Sequence, residues 1–151
     1  MIRGRIRIQE VVRASAADVF AFLTDLRRVP EWDARVAKVT QMTRGALRPG
    51  AIVRSELVVD GVCYHLDDEI TDFAPPTRLG LRSVLGATNA ITYSLSEKED
   101  DATRLDVVLD YELPDPPAGA PVDPTGLRAS IANALTQSLR RLKAIVERET
   151  V

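Results

Sequence analysis

Residues 113–124, LPDPPAGAPVDP, run straight into residues 124–148, PTGLRASIANALTQSLRRLKAIVER. This junction decides the fold. Asp123 reads as an N-cap and Pro124 as the first helical residue, a pairing that suits a helix start. Leu127, Ile131, Leu135, Ser138, Leu142 and Ile145 then recur on one helical face, flanked by Ala134, Leu139 and Val146. The spacing predicts a single helix from Pro124 to Arg148. At 1.5 Å per residue it is roughly 37 Å long, enough to cross a whole sheet.

Upstream, the pattern changes to a period of two. Ile2, Ile6 and Ile8 alternate with polar residues and predict a strand over Arg3–Arg13. Ser15, with Asp18 three residues on, opens a short helix bearing Val19, Phe20, Leu23 and Leu26 on one face. Pro30 ends or restarts it, and Glu31–Val36 reads as a second short helix. Strands follow at Ala37–Arg44, Ala51–Val59, Val62–Phe73, Arg78–Val84, Thr88–Ser96 and Thr103–Leu113. Turn signals lie at Arg48-Pro49-Gly50, Asp60-Gly61, Pro75-Pro76 and the charged run Glu97–Asp101. The expected architecture is α+β: a curved antiparallel sheet of about seven strands around a long C-terminal helix, with two short helices after the first strand. All 151 residues read as one domain.

Composition narrows the function. The net charge is −2, with basic residues interleaved among acids, and nucleic-acid binding wants a basic stripe instead. A lone cysteine, Cys63, precludes an internal disulfide and fits a reducing, cytoplasmic setting. The opening Met1-Ile-Arg-Gly-Arg-Ile-Arg-Ile8 lacks the continuous apolar core of a signal peptide. No stretch approaches the ~20 apolar residues of a membrane span, so no membrane insertion is expected. Phosphate-loop, metal-ligand and nucleophile-elbow patterns are missing, which implies neither metal nor organic cofactor.

Alternation assigns the inner face of each strand. In the last strand Leu105, Val107, Leu109, Tyr111 and Leu113 face the helix. By the same parity Val53, Ser55, Leu57 and Val59 point inward, as do Tyr64, Leu66, Asp68 and Ile70. Leu79, Leu81 and Ser83 join them, then Asn89, Ile91, Tyr93 and Leu95. The polar members of this set, with Ser138 from the helix, are Ser55, Tyr64, Asp68, Ser83, Asn89, Tyr93 and Tyr111. Burying each without a partner costs about 1–3 kcal/mol, so so many imply a cavity that holds water or a ligand. Trp32, Leu135 and Leu142 complete the candidate wall.

Asp68 is the leading catalytic candidate, with Tyr64 and Tyr93. A carboxylate on an apolar face has a raised pKa unless a cation holds it, and it then serves as base or as donor. The competing reading pairs Asp68 with an inward arginine. His65 falls on the outer face by parity, and a bulge near Gly61 would turn it and Asp67 inward. Trp32 reads either as a core anchor or as a gate at the cavity mouth.

These segments resemble a known superfamily. Ser15-Ala-Ala-Asp-Val-Phe-Ala-Phe-Leu-Thr-Asp25 and Val29-Pro-Glu-Trp-Asp33 resemble the opening of polyketide cyclase/dehydrase and lipid-transport proteins. Glu69-Ile-Thr-Asp-Phe-Ala-Pro-Pro-Thr-Arg-Leu79 and Leu139-Arg-Arg-Leu-Lys-Ala-Ile-Val-Glu147 are similar to its middle and end. The resemblance spans nearly the whole chain and implies the helix-grip fold of START domains. It is nearest to bacterial single-domain aromatase/cyclases, which close and dehydrate a poly-β-ketone. It further implies functional polar positions at Asp68 and Ser138 and an aromatic one at Tyr93. Where that branch carries a Trp and an Arg on the long strand, this chain has Leu66 and Ile70.

Three functions remain open from sequence. One is a cofactor-independent cyclase/dehydratase-like enzyme acting on a hydrophobic small molecule, free or tethered to a carrier protein. The second is a carrier or sensor of a lipid-like or aromatic ligand. The third acts through the outer sheet face. Either a monomer or a homodimer is compatible with the sequence.

Overall fold

The computed structural model describes residues 2–59, 62–84, 88–113 and 123–150. Strand β1 (Ile2–Val12) leads to helix α1 (Ala16–Leu23), a 3-10 turn (Leu26–Arg28) and helix α2 (Val29–Trp32). Strands β2 (Val36–Gln41), β3 (Ile52–Val59), β4 (Val62–Ala74), β5 (Arg78–Ser83), β6 (Thr88–Lys98) and β7 (Ala102–Leu113) follow, and helix α3 (Pro124–Glu149) closes the chain. The seven strands form one antiparallel sheet in the order β1-β7-β6-β5-β4-β3-β2. The α+β, helix-grip expectation holds. The Asp60-Gly61 turn and most of the proline-dense run (residues 114–122) lie outside the described residues.

Both main helices start where their caps stand. The Ser15 hydroxyl accepts from the Asp18 amide at 3.1 Å, and the Asp123 carboxylate accepts from the Thr125 amide at 3.1 Å. Each satisfies an amide that the first helical turn leaves unpaired. The second short helix falls earlier than expected. Proline tolerates the first turn of a helix, so Pro30 lies inside α2 rather than before it, and strand β2 begins at Val36. Gly50 takes a φ of +91° in the β2–β3 connection, a conformation that costs glycine little.

The helical stripe divides into two environments. Leu139, Leu142, Ile145 and Val146 pack into the core with Val12, Val19, Phe20, Leu105 and Val107. Towards the N-terminal end of α3, Ile131 and Leu135 instead border open space. The sheet and helix are therefore packed solid at one end and hollow at the other.

The outer sheet face is laced with cross-strand ion pairs. Arg5 meets Asp110 at 2.6 Å, Arg54 meets Asp67 at 2.7 Å, Arg82 meets Glu69 at 3.7 Å, and Arg78 pairs with Asp72. Such exposed pairs contribute little stability, but they keep the face polar and argue against an apolar docking surface there.

Candidate functional site

The hollow end encloses a cavity of about 340 Å³. Its wall is mostly apolar. Strands β3 to β7 supply Val53, Leu57, Leu66, Ile70, Leu79, Leu81, Ile91 and Leu109, and α3 supplies Ile131 and Leu135. Ser55, Asp68, Asn89, Tyr93 and Tyr111 add polar groups from the same strands. All these strand residues share the parity read from sequence. That parity survives because β3 and β4 pair without a break from Ile52↔Glu69 to Val59↔Val62, and β6 and β7 do so throughout. The β4–β5 ladder shifts only beyond Ile70.

The unbroken β3–β4 register also places His65. It stands opposite Glu56 on the outer face, with Nε2 3.5 Å from the Glu56 carboxylate. Asp67 is likewise outside, paired with Arg54.

Five candidates share the inner parity or helical stripe but do not border the cavity. Val107 and Leu142 are fully buried in the core, and Ser138 is buried beside them. Ser83 is buried at the end of β5, where its hydroxyl accepts from the Asn89 amide at 2.9 Å. Tyr64 lies one inward position beyond Leu66, outside the wall, and is 53% exposed.

Asp68 faces the cavity from the middle of β4, with Val53 and Ser83 opposite it on the neighbouring strands. Among the described residues it has no hydrogen-bond or ion-pair partner. Burial, and then the nearby Asp67 charge, push its carboxyl up to about 6. Tyr93, on β6, is buried, and its hydroxyl also lacks a partner among the described residues. Burial holds its phenol well above the ordinary range, and the Asp33 charge adds to this. Opposing it, the Arg35 charge lowers the phenol and the Asp68 charge raises it again, so the three ionisable groups share one electrostatic neighbourhood with the ring.

Trp32 closes the site from α2. It is 5% exposed and borders the cavity, and its indole Nε1 is buried without a hydrogen-bond partner among the described residues. A buried unpaired donor is costly, so this position favours an acceptor. The short helix is braced by Arg28, which donates to Glu31 at 2.7 Å and to Glu149 at the end of α3 at 2.7 Å. The same guanidinium stacks over Phe22, 4.7 Å from the ring centre.

Sequence reading missed the polar groups that arrive on turns. Asp33 and Arg35, between α2 and β2, both border the cavity, as do Thr24 after α1 and Leu47 before β3. Arg35 donates to Asp33 at 3.4 Å. Arg35 borders the cavity from its edge, with its side chain 54% exposed. No periodicity marks such turn residues; only the position of Arg35 next to the Trp32-Asp33 pair hinted at it.

Chemically, the arrangement is a mostly apolar cavity whose wall carries a carboxyl without a partner among the described residues, Asp68, two phenols, Tyr93 and Tyr111, and the Asp33–Arg35 ion pair. It can orient a hydrophobic molecule, donate hydrogen bonds to a carbonyl and exchange one proton near neutral pH. Among the described residues, no helix is long and apolar enough to cross a membrane.

A family model described as polyketide cyclase / dehydrase and lipid transport matches residues 3–147. Among solved structures, the aromatase/cyclase Zhui from a Streptomyces species superposes with a TM-score of 0.81 at 16% identity, covering 99% of this chain and 96% of that one. A START superfamily protein from Mycobacterium smegmatis gives 0.79 at 18% identity, covering 95% and 97%. The di-domain ARO/CYC StfQ from the steffimycin biosynthetic pathway gives 0.80 at 14% identity, where 99% of this chain covers 52% of that one. At such identities the likeness is one of fold, and function must be argued from the site. No curated protein matches the sequence.

Proposed function

Because the chain belongs to the polyketide cyclase / dehydrase and lipid transport family, we propose that it binds a hydrophobic small molecule in the cavity and promotes its intramolecular cyclisation and dehydration. The observation that carries this is Asp68, a cavity-wall carboxyl without a partner among the described residues, which burial pushes up to about 6. A base is most effective when its pKa lies near the working pH.

In the proposed reaction the ionised Asp68 takes a proton from the carbon between two carbonyls. The resulting enolate attacks a second carbonyl of the same chain, forming a C–C bond and an alkoxide. Protonated Asp68 returns the proton to that alkoxide, giving a closed ring with a β-hydroxyl; loss of the remaining α-proton to Asp68 and of the hydroxyl, protonated in turn, then releases water and leaves a C=C bond. Tyr93 donates a hydrogen bond to the carbonyl that gains negative charge. The wall holds the flexible chain folded, which converts an unlikely encounter into a unimolecular step. No cofactor is required. Tyr64, outside the cavity wall, is left to contact a ligand at the margin rather than to move a proton.

The substrate arrives free or on a carrier protein, and the domain works as a monomer or homodimer. A second reading, a carrier or sensor without turnover, is favoured by Leu66 and Ile70, which leave β4 without the arginine found in the aromatase/cyclase branch. One substitution separates the two. Asp68→Asn should abolish ring closure of a poly-β-ketone substrate while leaving affinity within a few-fold. Parallel loss of binding and rate would mark Asp68 as an anchor and support the carrier.

A further inference from the structure

The polar end of the cavity is lopsided in charge. Asp33, Arg35 and Asp68 all border it. Arg35 is the one cation among the described wall residues, and Asp33 already engages it through both carboxylate oxygens at 3.4 Å. Among the described residues Asp68 is left unmatched. Tyr93 borders the same cavity within electrostatic reach of Asp68, and its hydroxyl has no partner among the described residues. A ligand that completes this set must both donate, to Asp68, and accept, from Tyr93. A free carboxylate can only accept, and it would enter a low-dielectric chamber facing an uncompensated like charge.

We infer that the cavity selects a hydrophobic molecule whose polar end is a neutral hydroxyl or enol, and rejects one that ends in a free carboxylate. This rests on the ligand-binding reading above and narrows it. It separates the protein from carriers of fatty acids, whose ligands would need a spare cation in the wall. It also fits an enolisable chain whose own carboxyl is masked as an ester or thioester.

Three matched probes test this: naphthalene, 2-naphthol and 2-naphthoate, titrated by calorimetry. At pH 8 the naphthol should bind at least about tenfold more tightly than the naphthoate, a difference of about 1.4 kcal/mol. At pH 5, where Asp68 is largely protonated and becomes a donor, the naphthoate should gain affinity and the gap should narrow. Among the described residues, Asp33, Arg35, Asp67, Tyr93 and Tyr111 are the other ionisable groups on the cavity wall or coupled to Asp68; Asp33 and Asp67 are already paired with arginines, so the pH effect should disappear in Asp68→Asn. That variant should also close the gap at pH 8. Naphthoate binding as tightly as naphthol at pH 8, by recruiting Arg35 away from Asp33, would overturn the inference while leaving ligand binding intact. Failure of all three probes, naphthalene included, would instead remove the ligand-binding reading and the inference with it.

Discussion

The ring of Tyr111 lies across Gly4. The two residues are direct cross-strand partners in β7 and β1, and a β-carbon at Gly4 would fall 2.3 Å from the Tyr111 ring. Only glycine leaves space for the ring, a known way to cover a bare strand position. Tyr111 in turn forms part of the cavity wall.

A small change on β1 should therefore be felt inside the cavity. Gly4→Ala must displace the Tyr111 ring, and overpacking of this kind costs about 1–3 kcal/mol. Chemical denaturation should show that loss, and 2-naphthol affinity should fall with it. Gly4→Ala with unchanged stability and affinity would mean that the ring is free to move aside.

The two ends of α3 should respond differently to truncation. Leu139 is fully buried in the solid core, so Leu139→Ala should destabilise the protein by about 2–5 kcal/mol. Ile131 is only half-buried and borders the cavity, so its contacts are already incomplete. Ile131→Ala should cost well under half as much stability but weaken ligand binding. Thermal unfolding and calorimetry on both variants measure the contrast. Equal destabilisation would mean that the cavity end is packed as tightly as the core.

Asp68 should make stability depend on pH in an unusual direction. Its carboxyl titrates at about 6 in the fold and at 3.8 ordinarily, so between these values the folded state holds the extra proton. Stability then falls as pH rises through that window, opposite to a salt-bridged aspartate. Asp68→Asn should be more stable than the wild type above pH 7, on the order of 1–2 kcal/mol once partial solvation is allowed for. The two proteins should converge below pH 4. Denaturant midpoints from pH 4 to 8 check this, and a wild type more stable than the variant at pH 8 would show that an unseen donor holds the carboxylate.

Much of the fold was legible because strand parity and helical spacing are local signals. Asp68, Ile91 and Tyr93 could be placed on the inner face from alternation alone, and the unbroken β3–β4 and β6–β7 registers kept them there. Parity gives the face but not the depth along a strand. Tyr64 and Val107 share the inner parity, yet one lies beyond the cavity and the other behind it. Asp33, Arg35 and Leu47 escaped notice for the opposite reason: they reach the cavity from turns, where no period marks an inner face. Proline shifted the second helix as well, since Pro30 is accommodated in its first turn.

The central claim is that the hollow between sheet and helix is where a hydrophobic ligand binds. Native mass spectrometry of the purified protein with excess 2-naphthol tests it most directly, alongside the cavity-filling variant Ile91→Trp, which places an indole in the wall opposite Leu81 and Leu109. The predicted result is one bound molecule per wild-type chain and none on a folded Ile91→Trp chain. A mass without ligand for the wild type, or equal binding to both proteins, would contradict it.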